Sequence, residues 1–109
     1  MALLSGGGYA DCAVAHMGCA MPISQGYYFV EATSIPKTFI TAWQVLHRHG
    51  KVKPGQRVLI HAGSTGMGSV SAQITEKYFK AAAITTSSEE TLDVCRAYAM
   101  SSVGLLRRS

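Results

Sequence analysis

The sequence predicts an α/β fold built on a parallel sheet, and three observations carry that expectation. Residues 57–74, RVLIHAGSTGMGSVSAQI, run from a short apolar strand (Val58, Leu59, Ile60) through glycines 63, 66 and 68 into a helical pattern beginning near Met67. A second apolar run, Ala81 to Thr86, follows that helix, and the right-handed crossover rule sets it parallel to the first. Ser87 and Ser88 then open a further helix, Glu89 to Ala99, so strand and helix alternate as a parallel sheet requires. Its start, Ser88-x-x-Thr91, resembles a capping box without the usual glutamate.

Before this alternation the chain reads differently. Residues 1–24 are apolar and small, broken at Gly6–Gly8 and again at Pro22. Tyr9 to Val14 is predicted as one strand and Met17 to Ile23 as a second extended piece. The first basic residue is Lys37, and a segment so poor in charge expects to be covered by another surface. Ser34 and Pro36 mark a helix start, since proline fits the first turn, where its missing N–H is not needed. Phe39, Ala42, Trp43 and Leu46 follow at helical spacing, which assigns Phe39 and Trp43 to the core. His47, Arg48 and His49 lie where the helix carbonyls favour positive groups, and Gly50 stops the helix. Lys51 to Gln56, with Pro54–Gly55, is a turn into the first strand. In the helix after the glycine loop, Val70, Ile74 and Tyr78 mark the buried face.

Composition narrows the classes. A hydrophobic share of 48% and a charged share of 15% describe a globular chain, not a disordered tail. The length allows one small domain with a modest core. The net charge of +4 comes from scattered bases, without the aromatic-interleaved stripe of a nucleic-acid binder. Attraction of a phosphorylated small molecule explains it equally well. Cys12, Cys19 and Cys95 are odd in number and contain no C-x-x-C pair, so they predict reduced, mostly buried thiols instead of a disulfide framework or a zinc site. The start lacks a basic n-region, and no apolar run reaches membrane-span length; the expectation is a soluble, cytoplasmic protein.

The glycine loop is the candidate site. A strand, a glycine turn and a helix N-terminus together present free N–H groups to a phosphate. A dinucleotide loop must turn tightly, let the pyrophosphate approach the backbone, and let helix and strand pack closely. Gly63 is assigned the turn, and Gly66 and Gly68 the approach and the packing. Thr65 stands where the middle glycine of G-x-G-x-x-G belongs, so it either narrows the cradle or donates a hydrogen bond to phosphate. No Gly-Lys-Ser/Thr ending is present, which argues against a P-loop. From the loop alone, an ordinary glycine-rich strand–helix turn is an equal reading. The second strand ends in Thr85-Thr86-Ser87-Ser88, with no carboxylate before Glu89, and this favours NADP over NAD. Ser87 and Ser88 fit simple helix capping as well. His47 and His49 point to different sides and are expected in solvent, whereas His61, ending a buried strand, is expected as a satisfied inner residue. No Ser/His/Asp or Cys/His arrangement can be argued, and no metal ligands are assigned.

Four stretches, MALLSGGGYADCAV, FVEATSIPKTFITAWQVL, KPGQRVLIHAGSTGMG and TTSSEETLDVCRAY, occur in an order that resembles the zinc-independent quinone oxidoreductases (zeta-crystallin-like) of the medium-chain dehydrogenase/reductase superfamily. The resemblance runs from Met1 to Tyr98. It implies a partial Rossmann-type doubly wound sheet at 57–109, a connecting helix and turn at 36–56, and an extended piece of a GroES-like catalytic domain at 1–35. It further implies NADPH-dependent reduction of a quinone or enone without metal, often in dimers. By resemblance, Thr41 reaches the nicotinamide end of the cofactor. Ala62, Gly63, Ser64, Thr65, Gly66, Met67 and Gly68 line the pyrophosphate, and Ser87 and Ser88 face the adenosine ribose. Relatives commonly carry lysine where this chain has Thr91, so a charge toward the 2′-phosphate is lost. Family chains are several times longer, and the expectation is a chain truncated at both ends, with weak cofactor binding and poor turnover. After Tyr98 the family pattern gives way to AMSSVGLLRRS: Val103 to Leu106 still suggest a strand, but the expected cofactor-packing tyrosine is replaced by Leu106 or Arg107. The competing function is a non-catalytic interaction module that binds a full-length homologue or another partner through its glycine-rich start, which lacks lysine and arginine.

Overall fold

In the computed structural model, which describes residues 1–98 and 102–105, three strands lie side by side in one parallel sheet. β1 (Arg57–Ile60) pairs with β2 (Ala82–Ser87) so that Val58 faces Ala83 and Ile60 faces Thr85. β2 pairs in turn with β3 (Ser102–Leu105), Thr85 opposite Val103. The predicted strand at 103–106 is therefore formed, one residue earlier; Leu106 and Arg107 lie outside the described residues. Each crossover is helical. α3 (Gly66–Gln73) joins β1 to β2, and α4 (Leu92–Tyr98), entered by a 3₁₀ turn at Glu89–Thr91, follows β2. The predicted α/β class and parallel order are what the structure has.

Burial along β2 alternates, with Ala83, Thr85 and Ser87 covered and Ala82, Ile84 and Thr86 half-covered. Strand side chains point to opposite faces in turn, so one face of β2 carries only small residues and lets helices approach closely. Ile60, Ala72 and Ala83 form one core cluster there, with Val58 packed against it. A second cluster gathers Leu46, Phe79 and Ala81 under Trp43, Val52 and Ile74. The chain divides into two compact units, Met1–Lys37 and the part from Thr38 onward, and the sheet belongs entirely to the second.

Two helices widen at their C-terminal ends. α2 (Ile35–Trp43) continues through a π turn at Gln44–His49, closed by the Gly50 N–H donating to the Val45 carbonyl at 2.7 Å. Gly50 does end the helix, but with a right-handed φ of −75°, and the left-handed residue is Lys51 at φ +46°. What Gly50 supplies is room: a Cβ there would stand 3.1 Å from the Val45 oxygen and 3.2 Å from that of Leu46. α3 continues likewise through Ile74–Tyr78, closed by the Phe79 N–H on the Ile74 carbonyl at 3.1 Å. A π turn holds more residues than an α turn, so it rotates the side chains that come after it about the helix axis. The buried face expected at Val70, Ile74 and Tyr78 is corrected accordingly. Val70, Thr75 and Phe79 are buried, while Ile74 is half-buried and Tyr78 is exposed. Tyr78 instead meets Trp43 edge-on at 4.8 Å, and Trp43 stacks on Phe79 at 5.6 Å. Phe39, expected in the core, is exposed, and Trp43 is half-buried.

The unit Met1–Lys37 departs furthest from expectation. Neither Tyr9–Val14 nor Met17–Ile23 forms a strand. Its described strand-like pairing is one antiparallel bridge, Ala2 to Ala20, flanked by the Met21 N–H on the Met1 carbonyl at 2.8 Å. Met17–Cys19 is a 3₁₀ turn whose Gly18 N–H donates to Nδ1 of His16 at 3.1 Å. A strand needs a pairing neighbour, and beyond that single bridge none of the strands among the described residues pairs with either segment. Tyr9, Val14 and Met17 are nearly fully exposed as a result. A short helix unforeseen from sequence, α1 (Phe29–Thr33), is fixed by the Glu31 carboxylate accepting the Tyr28 N–H at 2.9 Å. Cys12 and Cys19 are exposed and only Cys95 is buried, contrary to the expected buried thiols. Among the described residues no helix is long and apolar enough to cross a membrane.

Candidate functional site

The glycine loop begins where β1 ends, and its sharpest backbone feature is Ala62, at φ +53°. None of the three loop glycines has a positive φ, so the turn assigned to Gly63 is made one residue earlier. The Gly63 N–H donates to the Thr86 carbonyl at 2.9 Å, and the Thr65 N–H to the Ala62 carbonyl at 3.0 Å. Gly63 has a different task. A Cβ added there would meet the Thr85 Cβ at 2.6 Å and the Cys95 sulfur at 3.1 Å, so the loop lies directly on β2 and α4. Gly68 is tighter still, its added Cβ falling 2.3 Å from the Ala62 oxygen and 2.7 Å from the Gly63 Cα. Gly66 is the opposite case: a Cβ there meets nothing within 4 Å among the described residues outside its own helix and chain neighbours. Two glycines thus close the loop onto the fold, and the third faces open space at the start of α3.

Thr65 is the N-cap of α3. Its backbone is extended (φ −75°, ψ 160°), and its Oγ1 accepts the Gly68 N–H at 3.1 Å. The hydroxyl proton goes to the Ala62 carbonyl at 2.8 Å, so the donor expected for phosphate is spent within the loop. The Ser69 N–H on the Thr65 carbonyl at 2.8 Å completes the cap. The first-turn N–H groups of Gly66 and Met67 are those a helix end leaves for an outside acceptor. Replacing Thr65 by valine keeps the branched shape and removes both hydroxyl bonds. Loss of such a cap is expected to cost about 1–2 kcal/mol, visible as a lower urea midpoint; an unchanged midpoint would deny Thr65 the capping role.

At the end of β2, Thr86 Oγ1 lies 3.0 Å from Nδ1 of His61. His61 is exposed, which corrects its assignment as an inner residue, yet it is bonded. Ser87 is buried with its hydroxyl against that of Thr91, while Ser88 is exposed, its Oγ 3.0 Å from Thr91 Oγ1. Of the two serines expected toward a ribose, Ser88 is the one presented to solvent. The fold therefore brings Ala62 to Gly68 next to the end of β2. Thr41 is exposed on α2, an element apart from that cluster. His47, exposed as expected, stacks on Trp43 at 4.8 Å. His61 and Thr86 were missed as site residues from sequence, and the only available signal was their place at the carboxyl ends of adjacent parallel strands; Ala62 was named for the pyrophosphate, but its left-handed backbone was not foreseen. Beneath the loop, the Thr85 hydroxyl is buried with no hydrogen-bond partner among the described residues.

No family model matches the chain. It is 35% identical over 72 residues to a phenolphthiocerol synthesis polyketide synthase of Mycobacterium bovis, covering 66% of this chain and 3% of that protein. Among solved structures, it resembles the quinone oxidoreductase of Thermus thermophilus, solved alone and with NADPH. That match has a TM-score of 0.83 and 27% identity over 94% of this chain and 35% of the other. The ER cyclopropanase of the curacin A pathway is 36% identical with a TM-score of 0.68, covering 76% of this chain and 24% of that one. Enoyl reductases and a further quinone oxidoreductase are also among the similar structures. The chain thus spans a small part of the synthase and at most about a third of these two solved proteins.

Proposed function

We propose that this chain carries the cofactor-binding part of an NADPH-dependent oxidoreductase of the medium-chain dehydrogenase/reductase superfamily, acting on a quinone or enone acceptor. The observation that carries the proposal is the division among the loop glycines. Gly63 and Gly68 admit no side chain because the fold fills their space, whereas Gly66 opens onto free space at a helix N-terminus. A pyrophosphate needs that combination of a tight base and an unobstructed backbone.

In this reading the N–H groups of Gly66 and Met67 hold phosphate oxygens, and the α3 dipole favours their negative charge. Ala62, Ser64 and Thr65 shape the rim. Ser88 meets the adenosine ribose, and the lack of a carboxylate before Glu89 leaves room for a 2′-phosphate. Thr41 is assigned to the nicotinamide end. When bound, the nicotinamide supplies the hydride, and quinones and enones share the conjugated carbonyl that accepts it. The protein's own part is orientation and exclusion of water. The similarity to a quinone oxidoreductase solved with NADPH and to enoyl reductases supports this reading of both cofactor and acceptor class.

Titrating the chain with NADPH while following nucleotide fluorescence tests the proposal. Weak, saturable binding is expected, with NADH binding less well and slow reduction of a simple quinone or enone. Preference for ATP or S-adenosylmethionine over NADPH would overturn it.

A further inference from the structure

The geometry points to Thr86 as a positioning residue that, through its bond to His61, holds the loop in its phosphate-receiving shape; the inference rests on the dinucleotide reading above. The chain leaves β1 through Ala62 at φ +53°. A residue with a Cβ persists in that region only where its surroundings hold it there. Thr86 grips both flanks of it. On one side its carbonyl accepts the Gly63 N–H at 2.9 Å. On the other its hydroxyl pairs with Nδ1 of His61 at 3.0 Å.

The consequence runs into the site. Held in this way, the Ala62 carbonyl accepts both the Thr65 N–H, at 3.0 Å, and the Thr65 hydroxyl, at 2.8 Å. Thr65 in turn caps α3 through the Gly68 N–H, which places Gly66 and Met67 at the open end of the helix. A continuous chain of bonds therefore links the end of β2, beside the solvent-facing Ser88, to the N–H groups assigned to phosphate. The His61–Thr86 bond is solvent-exposed, so cutting it is expected to change loop geometry more than fold stability. The bond survives in either neutral tautomer of His61, because the Thr86 hydroxyl can donate to Nδ1 or accept from it.

The test compares the unsubstituted chain with Thr86→Val, Thr86→Ser, His61→Ala and the double variant Thr86→Val/His61→Ala. Thr86→Val keeps the branched shape and the backbone groups but loses the hydroxyl. Thr86→Val and His61→Ala are each expected to speed amide exchange at Gly63 and weaken NADPH binding about five-fold, the worth of one net hydrogen bond. The double variant should be no worse than either single one, Thr86→Ser should restore the unsubstituted values, and the thermal midpoint should barely move. Unchanged Gly63 exchange in Thr86→Val, or additive effects in the double variant, would overturn the clamp even if NADPH binds. Accelerated exchange in a chain that binds no NADPH would uphold the clamp and overturn the dinucleotide reading instead.

Discussion

Gly68→Ala is expected to lower the unfolding free energy by roughly 1–3 kcal/mol, although alanine is the better helix former. By propensity alone the change inside α3 would stabilise the helix by about 1 kcal/mol. Sterics decide the sign. The new methyl would lie 2.3 Å from the Ala62 oxygen, 2.7 Å from the Gly63 Cα and 3.0 Å from the Ala62 carbonyl carbon. All three are backbone atoms, so no side chain can turn aside. Relief requires α3 to move away from the loop, and Gly63 cannot move with it freely because it is seated on Thr85 and Cys95. Against a total stability on the order of 5–15 kcal/mol for a small domain, the loss is large. Urea denaturation should show a clearly lower midpoint, and a midpoint equal to or above that of the parent would refute the close crossing.

Gly66→Glu should do the reverse, leaving the fold intact while removing nucleotide binding. Among the described residues, nothing beyond its chain neighbours and its own helix backbone lies within 4 Å of the new Cβ. A carboxylate in the first turn of a helix is favourable by about 0.3–1 kcal/mol, so the thermal midpoint should hold or rise slightly. The same carboxylate would occupy the space and the charge complement reserved for a phosphate. NADPH affinity is expected to fall on the order of 100-fold, since charge-assisted hydrogen bonds are lost and a like charge is added. Fluorescence titration beside a melting curve reads both quantities in one preparation. Undiminished NADPH binding by the folded variant would remove the start of α3 from the phosphate site.

How much of the fold and site was legible depends on the kind of signal each feature leaves. Strand, glycine loop, helix and second strand were visible because apolar runs and glycines punctuate residues 57–87, and the crossover rule then set their direction. The close packing at Gly68 and the open position of Gly66 followed from what such a loop must accomplish. The conformation of Ala62 was not legible, since nothing in an alanine announces a positive φ. Thr65 reads in the sequence as an obstacle or a phosphate donor, whereas its hydroxyl is committed to Ala62 and Gly68. The buried face of α3 is misplaced after Ala72 because an α period cannot register a π turn. Tyr9–Val14 shows the limit of local pattern most plainly. Its composition suits a strand, but a strand exists only beside a neighbour, and local pattern does not supply one.

The π turns at Gln44–His49 and Ile74–Tyr78 also bear on which length changes the chain tolerates. Deleting one residue from either would restore ordinary α geometry, which local energetics favours. Yet each residue of an α-helix advances the side-chain direction by about 100°. Shortening the second turn would swing Phe79 away from Leu46 and Ala81, and shortening the first would withdraw Leu46 from the same cluster. The surplus residues act as phase correctors, and an indel in either segment would be felt in the core before it reached the loop.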